Sequence, residues 1–120
     1  MSEESEMSED SFSLYDLKIE VIHHDKAKPF VCKHTLGDSF MVRGSLIEMP
    51  AGQTFGLYAM LAVLPFVPAK QRPTQETDWM ASDAVIGCTD PYCGAGFRIS
   101  RLESKTYPRA EHTVVPRSGN

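Results

Sequence analysis

The feature that most constrains the fold is the apolar stretch from Phe55 to Val67, the strongest helix-type pattern in the chain. Four of its side chains recur at helical spacing and define one face: Leu57, Tyr58, Leu61 and Leu64. The other faces are apolar as well, which is typical of a helix that is buried on all sides. Thr54 is a candidate N-cap, and Pro65 and Pro68 predict the end of the helix. The stretch is too short to span a bilayer.

Segments with strand-type patterns lie on both sides of this helix. Leu17, Ile19 and Val21 alternate with charged residues, which predicts a strand over residues 15–23 with one face in water. A second β-prone segment, SFMVRG, ends at Gly44. After the helix, DAVIGC and GFRISRL flank an Asp-Pro-Tyr-Cys-Gly turn and predict a hairpin. This order of elements predicts an α+β fold with a small, mostly antiparallel sheet and one central buried helix.

Charge is distributed unevenly along the chain. The first 12 residues carry 5 of the 16 acidic side chains and no basic one, so the rest has 11 acids against 12 Lys and Arg. We expect a disordered acidic tail over residues 1–13, a single domain over residues 14–103 and a loose polar tail over residues 104–120. The acidic tail is either solubilising or a docking segment for a basic partner. A near-neutral domain argues against nucleic-acid binding, which needs clustered Lys and Arg.

The cysteine content and the N-terminus both bear on the cellular compartment. The chain begins with an acidic segment, whereas a secretory signal begins with a basic region followed by an apolar run. Three cysteines without an export signal favour a reducing compartment, where disulfides rarely persist. We therefore expect a cytoplasmic protein that does not associate with membranes.

A series of short motifs follows in order along residues 17–102. It begins with a Cys before the turn of GDSFMVRG, continues through VLPF in the apolar helix and DWM, and ends with IGCTDP and FRISRL. In this order the chain resembles an uncharacterised family of short bacterial and archaeal proteins. The resemblance implies a compact single-domain fold, marks Cys32, Cys88 and Asp90 as matching motif positions, and implies no particular reaction. The chain departs from shorter members in its PAKQR loop, in Cys93 and in both tails.

The cysteines around the predicted hairpin turn are the strongest candidates for a site. Cys88 and Cys93 have four residues between them, a separation found in zinc sites. Cys32 and His34 would face the same way on a strand and could complete a Cys3His zinc site. Alternatively, Cys32 and Cys88 are small buried hydrophobic residues and Cys93 is a turn residue, or the thiols form a redox or disulfide pair, or one thiol is a nucleophile with His34 as its base. Every shared site requires the hairpin to fold back against the segment that carries Cys32.

A polar loop after the helix is a second candidate for binding. Lys70 and Arg72 could hold an anionic ligand or an acidic partner surface, with Trp79 as an aromatic anchor. The alternative is a solvated loop with Trp79 in the core. Asp90, at a motif position of the family, completes the set of residues expected to bind a ligand or a partner.

The sequence contains no recognisable set of catalytic residues. We therefore expect a small cytosolic binding or accessory protein, such as a minor subunit of a larger enzyme, with a protein partner. The alternative is a small metal-dependent or thiol enzyme that uses Cys32, Cys88, Cys93 and His34, for which zinc would be the metal.

Overall fold

The computed structural model describes residues 10–118. Five strands and two consecutive helices form an α+β fold: β1 (Ser11–His23), β2 (Ser39–Arg43), β3 (Leu46–Glu48), α1 (Leu57–Val63), α2 (Val67–Gln71), β4 (Ala84–Gly87) and β5 (Ala95–Pro108). Short 3-10 turns occupy Leu64–Phe66, Trp79–Ala81 and Arg109–Glu111. The strands form one antiparallel sheet in the order β3-β2-β1-β5-β4. The predicted fold class and the hairpin of β4 and β5 are confirmed.

The core lies between one face of the sheet and the helical segment. The strand side chains at its centre are fully or almost fully buried: Leu17, Ile19, Val21, Phe40, Val42, Phe97 and Ile99. The helices add Ala59, Val63 and Val67, which lie four residues apart and therefore share one face. Complete burial of a Leu, Ile, Val or Phe side chain stabilises a fold by about 1.5–3 kcal/mol. These side chains therefore hold the helical segment on the sheet.

The helical segment is buried on one side only, so the expectation of burial on all sides is wrong. Leu57, Tyr58 and Leu61, three members of the face defined by helical spacing, are exposed. The smaller side chains of the opposite face pack on the sheet, because they allow a close approach. We call Leu57, Tyr58 and Leu61 the exposed helix face.

The prolines do not end the helical path. Pro65 lies in the first turn of the 3-10 segment and Pro68 in the first turn of α2, where a backbone N–H has no helical acceptor. The path therefore continues to Gln71. Gly56, rather than Thr54, precedes the first residue of α1 and caps it without a side-chain hydrogen bond.

The two long strands extend beyond the expected bounds of the domain. β1 and β5 pair from Ser11 with Pro108 to His23 with Ala95. Residues 11–13 and 104–108, which we expected in the tails, therefore belong to strands, because main-chain hydrogen bonds do not require apolar side chains. Residues 1–9 of the expected acidic tail and residues 119–120 lie outside the described part of the chain.

A bulge in β1 changes the environment of Asp16. The alternation of Leu17, Ile19 and Val21 places Asp16 on the wet face, but the register with β5 shifts between Tyr15 and Leu17, and Asp16 is 1 % exposed. Its Oδ2 accepts hydrogen bonds from Arg43 Nη1 at 3.0 Å and from Lys105 Nζ at 2.8 Å. The carboxylate therefore ties β1 to β2 and β5.

Candidate functional site

A cavity of about 230 Å³ brings together segments that are far apart in the sequence. Residues 31–34 form one wall, the start of α1 a second, and the loop between β4 and β5 a third. All four residues expected to bind zinc line this cavity, as does Asp90: Cys32, His34, Cys88, Cys93 and Asp90. The hairpin therefore folds back against the segment that carries Cys32, as every shared site requires. We call this space the thiol cavity.

Cys93 lies at the centre of the three cysteines and accepts the largest number of hydrogen bonds among them. Its Sγ accepts hydrogen bonds from the backbone N–H of Val31 and of Ala95, each at 3.4 Å. The backbone N–H of Cys32 and the thiol of Cys88 also donate to it. Burial raises the pKa of Cys93, but these four donors together outweigh burial, so its pKa lies below the ordinary thiol value. Cys93 is therefore the thiol most readily converted to a thiolate.

The neighbouring thiols have the opposite tendency. Burial raises the pKa of Cys32 and of Cys88, and the negative charge of a Cys93 thiolate raises both further. Each sulfur also accepts a hydrogen bond from the backbone N–H two residues later in the chain, Cys32 from that of His34 and Cys88 from that of Asp90. All three cysteines are free. Of the three cysteines, Cys93 is therefore the one whose thiolate the surroundings stabilise, whereas they disfavour the thiolates of Cys32 and Cys88.

His34 is held in place by groups other than the thiols. Its Nε2 accepts a hydrogen bond from the backbone N–H of Gly56 at 2.8 Å, so the proton of the neutral ring is on Nδ1. The ring packs against Phe55 and Phe97, with centroid distances of 4.5 and 5.7 Å. Nδ1 is buried and has no hydrogen-bond partner among the described residues, and burial lowers the pKa of the imidazole. The imidazole therefore anchors the start of α1 and does not act as a base hydrogen-bonded to a thiol.

The arrangement gives no support to the expected zinc site. Within residues 10–118, no group of three or more His, Cys, Asp or Glu side chains is placed so that it could hold a metal ion. The lone pair of His34 Nε2, which would bind zinc, already accepts the N–H of Gly56. Of the four proposed ligands, the three cysteines therefore lie together, whereas the imidazole of His34 is bonded to Gly56 instead.

Gly94 positions the loop that completes the donor set of Cys93. Its carbonyl accepts the backbone N–H groups of His24 and Asp25 at 2.8 and 3.0 Å, and its own N–H donates to the carbonyl of Pro29 at 2.7 Å. These three bonds hold residues 24–29 against the hairpin and so bring the N–H of Val31 to the sulfur. Sequence reasoning missed this contact, because no local pattern links a polar loop to a glycine some 65 residues later.

The residues of the second candidate site are dispersed. Lys70 is buried, and its ammonium donates to the carbonyls of Met80, at 2.7 Å, and of Ser82. Burial lowers the pKa of this lysine, and the charge of Arg101 lowers it further. The ammonium of Lys70 therefore ties α2 to the 3-10 turn at Trp79–Ala81 and is not free to receive an anion.

The other members of that set have separate surroundings. The guanidinium of Arg72 lies over the ring of Phe12, 5.5 Å from its centroid. Trp79 is more than half exposed and packs edge-on against Phe66. Asp90 lies at the wall of the thiol cavity, where its Oδ1 accepts the backbone N–H of Tyr92 at 2.9 Å. Lys70, Arg72 and Trp79 therefore do not form one site.

Two further findings concern the chain as a whole. None of the helices in residues 10–118 has the length and apolar character needed to cross a membrane. No family model, curated protein or solved structure matches the chain. The resemblance to a family of short bacterial and archaeal proteins therefore stays a prediction.

Proposed function

We propose that this protein is a small binding module that takes an apolar ligand into the thiol cavity. The observation that carries the proposal is the convergence of three distant segments around one space with largely apolar walls. The walls comprise Val31, Leu57, Tyr58, Ala59 and Phe97 together with thiols, which behave as weakly polar surface. An apolar space with a few polar groups at its edge is the usual form of a small-molecule site.

The volume of the cavity restricts the size of the ligand. Drug-sized ligands occupy pockets of roughly 300–1,000 Å³, whereas an apolar cavity of roughly 150 Å³ holds benzene. A cavity of about 230 Å³ therefore suits a single substituted ring or an aliphatic group of similar size. Asp90 and Lys33, which also line it, supply polar contacts for a substituent.

A titration with indole tests this proposal. Indole should cause saturable changes in the amide resonances of residues 31–34, 56–59 and 88–93 in two-dimensional NMR spectra. Leu57→Asp should weaken the binding, because a carboxylate replaces part of the apolar wall. Leu46→Asp in β3 is the matched control, since Leu46 is 66 % exposed and Leu57 68 %. Indole shifts that do not saturate, or equal weakening by both substitutions, would contradict the proposal.

The exposed helix face supports the related proposal of a protein partner. Leu57, Tyr58 and Leu61 form an uncovered apolar surface, and clustered apolar surface is typical of interaction sites. We propose that the binding module works as an accessory subunit of a larger enzyme, in the cytoplasm, where its three free cysteines stay reduced. The chain purified from its native cells should run in a complex of fixed stoichiometry. Leu61→Lys should release it, and Leu102→Lys, on β5, should not. A native protein that is strictly monomeric would contradict the accessory role.

A second candidate function is thiol chemistry at Cys93, favoured by the donors that converge on its sulfur. In such a reaction the Cys93 thiolate attacks an electrophilic carbon, an S–C bond forms, and the leaving group departs with its electron pair. Iodoacetamide, which loses iodide in this way, is the probe. Peptide mapping over a series of pH values should show that alkylation of Cys93 rises at a lower pH than alkylation of Cys88 or Cys32, because the thiolate is the reacting form. A rise at the same or a higher pH for Cys93 would exclude this function.

A further inference from the structure

An open cleft of about 350 Å³ lies where the start of β1, the end of α2 and the turn after β5 meet. It is distinct from the thiol cavity, since the two share no lining residue. Six residues line it: Ser11, Phe12, Arg72, Arg109, His112 and Thr113. We call it the basic cleft. Two of the six are arginines and one is a histidine, although the described chain as a whole is close to neutral.

The two arginines of the basic cleft have no ion-pair partner among residues 10–118. Among residues 10–118, the ion pairs of acidic side chains involve other cations, such as Asp16 with Arg43 and Lys105. Neither Arg72 nor Arg109 has a carboxylate within ion-pair distance in this part of the chain. Arg101, by contrast, donates to the backbone carbonyls of Lys70 and Arg72. Two arginines that line one cleft without such partners raise the local positive potential and so favour an anion there.

Contacts with the surrounding elements fix the cleft. The Arg72 guanidinium packs over the ring of Phe12, and the His112 ring lies edge-on to that same ring at 5.1 Å. The backbone N–H of Arg109 donates to the carbonyl of Asp10 at 2.7 Å, which holds the turn after β5 to the start of β1. The side chains of Arg72 and His112 and the backbone of Arg109 are thus held before a ligand arrives, which reduces the entropy lost on binding.

The polar atoms that remain suit an oxyanion. His112 Nδ1 lies 3.3 Å from the carbonyl of Pro108, which can only accept, so Nδ1 carries a proton, and Nε2 would donate to an oxyanion when the ring carries a proton on both nitrogens. The Oγ1 of Thr113 accepts the N–H of Val115 at 3.0 Å, and its own proton is left to donate. The paired N–H donors of a guanidinium group match the spacing of two phosphate oxygens.

We propose that the basic cleft binds a phosphate-type oxyanion, with Arg72 and Arg109 as its main ligands and His112 and Thr113 as additional contacts. The site is independent of the thiol cavity. The ligand is either free phosphate or the phosphate group of a small metabolite, whose remainder would lie against Phe12. The sequence alone grouped Arg72 with Lys70 and Trp79 as an anion-binding set. In the folded protein Arg72 instead lies beside residues of the turn after β5.

Inorganic phosphate and pyrophosphate, added to the full-length protein at constant ionic strength, test the proposal. Both should shift the side-chain resonances of Arg72, Arg109 and His112 with a saturable dependence. Arg72→Gln and Arg109→Gln should each weaken binding roughly tenfold or more, as expected when a charged hydrogen-bonding group is lost. Tighter binding of an organic phosphate than of inorganic phosphate would identify the metabolite as the ligand.

Arg98→Gln is the matched control, because it removes the same charge from the surface of β5, where Arg98 is 42 % exposed. It should leave phosphate affinity unchanged. Equal weakening by Arg98→Gln, or shifts that do not saturate, would show general attraction to surface charge and overturn the proposal. Binding of indole to the thiol cavity should be the same in all three variants, so failure of this inference is distinguishable from failure of the proposed function.

Discussion

Replacement of Gly94 by alanine tests how the thiol cavity is built. A Cβ at this position would lie 2.4 Å from the carbonyl oxygen of Asp25 and 2.7 Å from that of Lys28, whereas real Cβ atoms are essentially never closer than 3.0 Å to such atoms. The loop would have to move by at least about 0.6 Å. Because both obstacles are backbone atoms, no change of rotamer can relieve the overlap.

The cost follows from the hydrogen bonds that such a movement breaks. Three backbone bonds join Gly94 to residues 24–29, at 2.7 to 3.0 Å. A backbone hydrogen bond contributes about 1 kcal/mol net, so the free energy of unfolding should fall by about 3 kcal/mol. With a typical urea dependence for a small domain of about 2 kcal/mol/M, the midpoint of denaturation should fall by roughly 1.5 M. Such a loss is a large part of the roughly 5–15 kcal/mol that stabilises a domain.

Gly87→Ala is the matched control, because nothing lies within 4 Å of a Cβ at Gly87. Urea denaturation followed by circular dichroism should place its midpoint close to that of the unchanged protein, within roughly 0.3 M. Gly94→Ala should also slow alkylation of Cys93 near neutral pH, because displacement of the loop removes the N–H of Val31 from the sulfur. If the two glycine variants denature at the same urea concentration, the loop does not depend on Gly94 and the reasoning is refuted.

Three other predictions follow from individual contacts. Burial and the charge of Arg101 lower the pKa of Lys70, so the unfolded chain binds this proton more tightly than the folded protein does. The free energy of unfolding should therefore rise with pH between the lowered pKa and 10.5. Urea titrations at about pH 8 and about pH 10 should show this rise in the unchanged protein and not in Lys70→Met. An equal rise in both proteins would contradict it. Arg101→Lys removes the fork that makes three hydrogen bonds to the end of α2 and the segment after it, so it should lower the free energy of unfolding by about 1–3 kcal/mol and speed amide exchange there. Unchanged exchange would count against it. Gly56→Ala puts a Cβ 2.9 Å from His34 Cε1 and should weaken indole binding, whereas Gly87→Ala should not; equal affinities would show that the ring position is unimportant.

The thiol cavity shows why residues that lie together do not yet define a site. The separation of Cys88 and Cys93 and the proximity of Cys32 to His34 identified residues that do meet. The chemistry differs from that expected of a zinc site, because the hydrogen bonds of each group come from elsewhere in the chain. The backbone N–H of Gly56 donates to Nε2 of His34, and three backbone N–H groups donate to the sulfur of Cys93. Such partners leave no pattern in the sequence around a cysteine.

Four of the five strands, all except β3, and the hairpin could be predicted from the sequence alone. The alternation of Leu17, Ile19 and Val21 and the turn between β4 and β5 are local properties, since side-chain direction along a strand and turn geometry depend on adjacent residues. The presence of a helix near residue 60 follows for the same reason. These features together determine the α+β class of the fold.

Tertiary structure alone decided which parts of these elements are buried. The apolar stretch offered several equivalent faces, and contact with the sheet selected the one with Ala59 and Val63, which allows the closest packing. The bulge beside Asp16 and the carbonyl acceptors of Lys70 likewise depend on strands and turns distant in the sequence. Local periodicity records the preferences of neighbouring residues, whereas burial and the partners of a polar group are set by whichever distant segments the folded chain brings into contact.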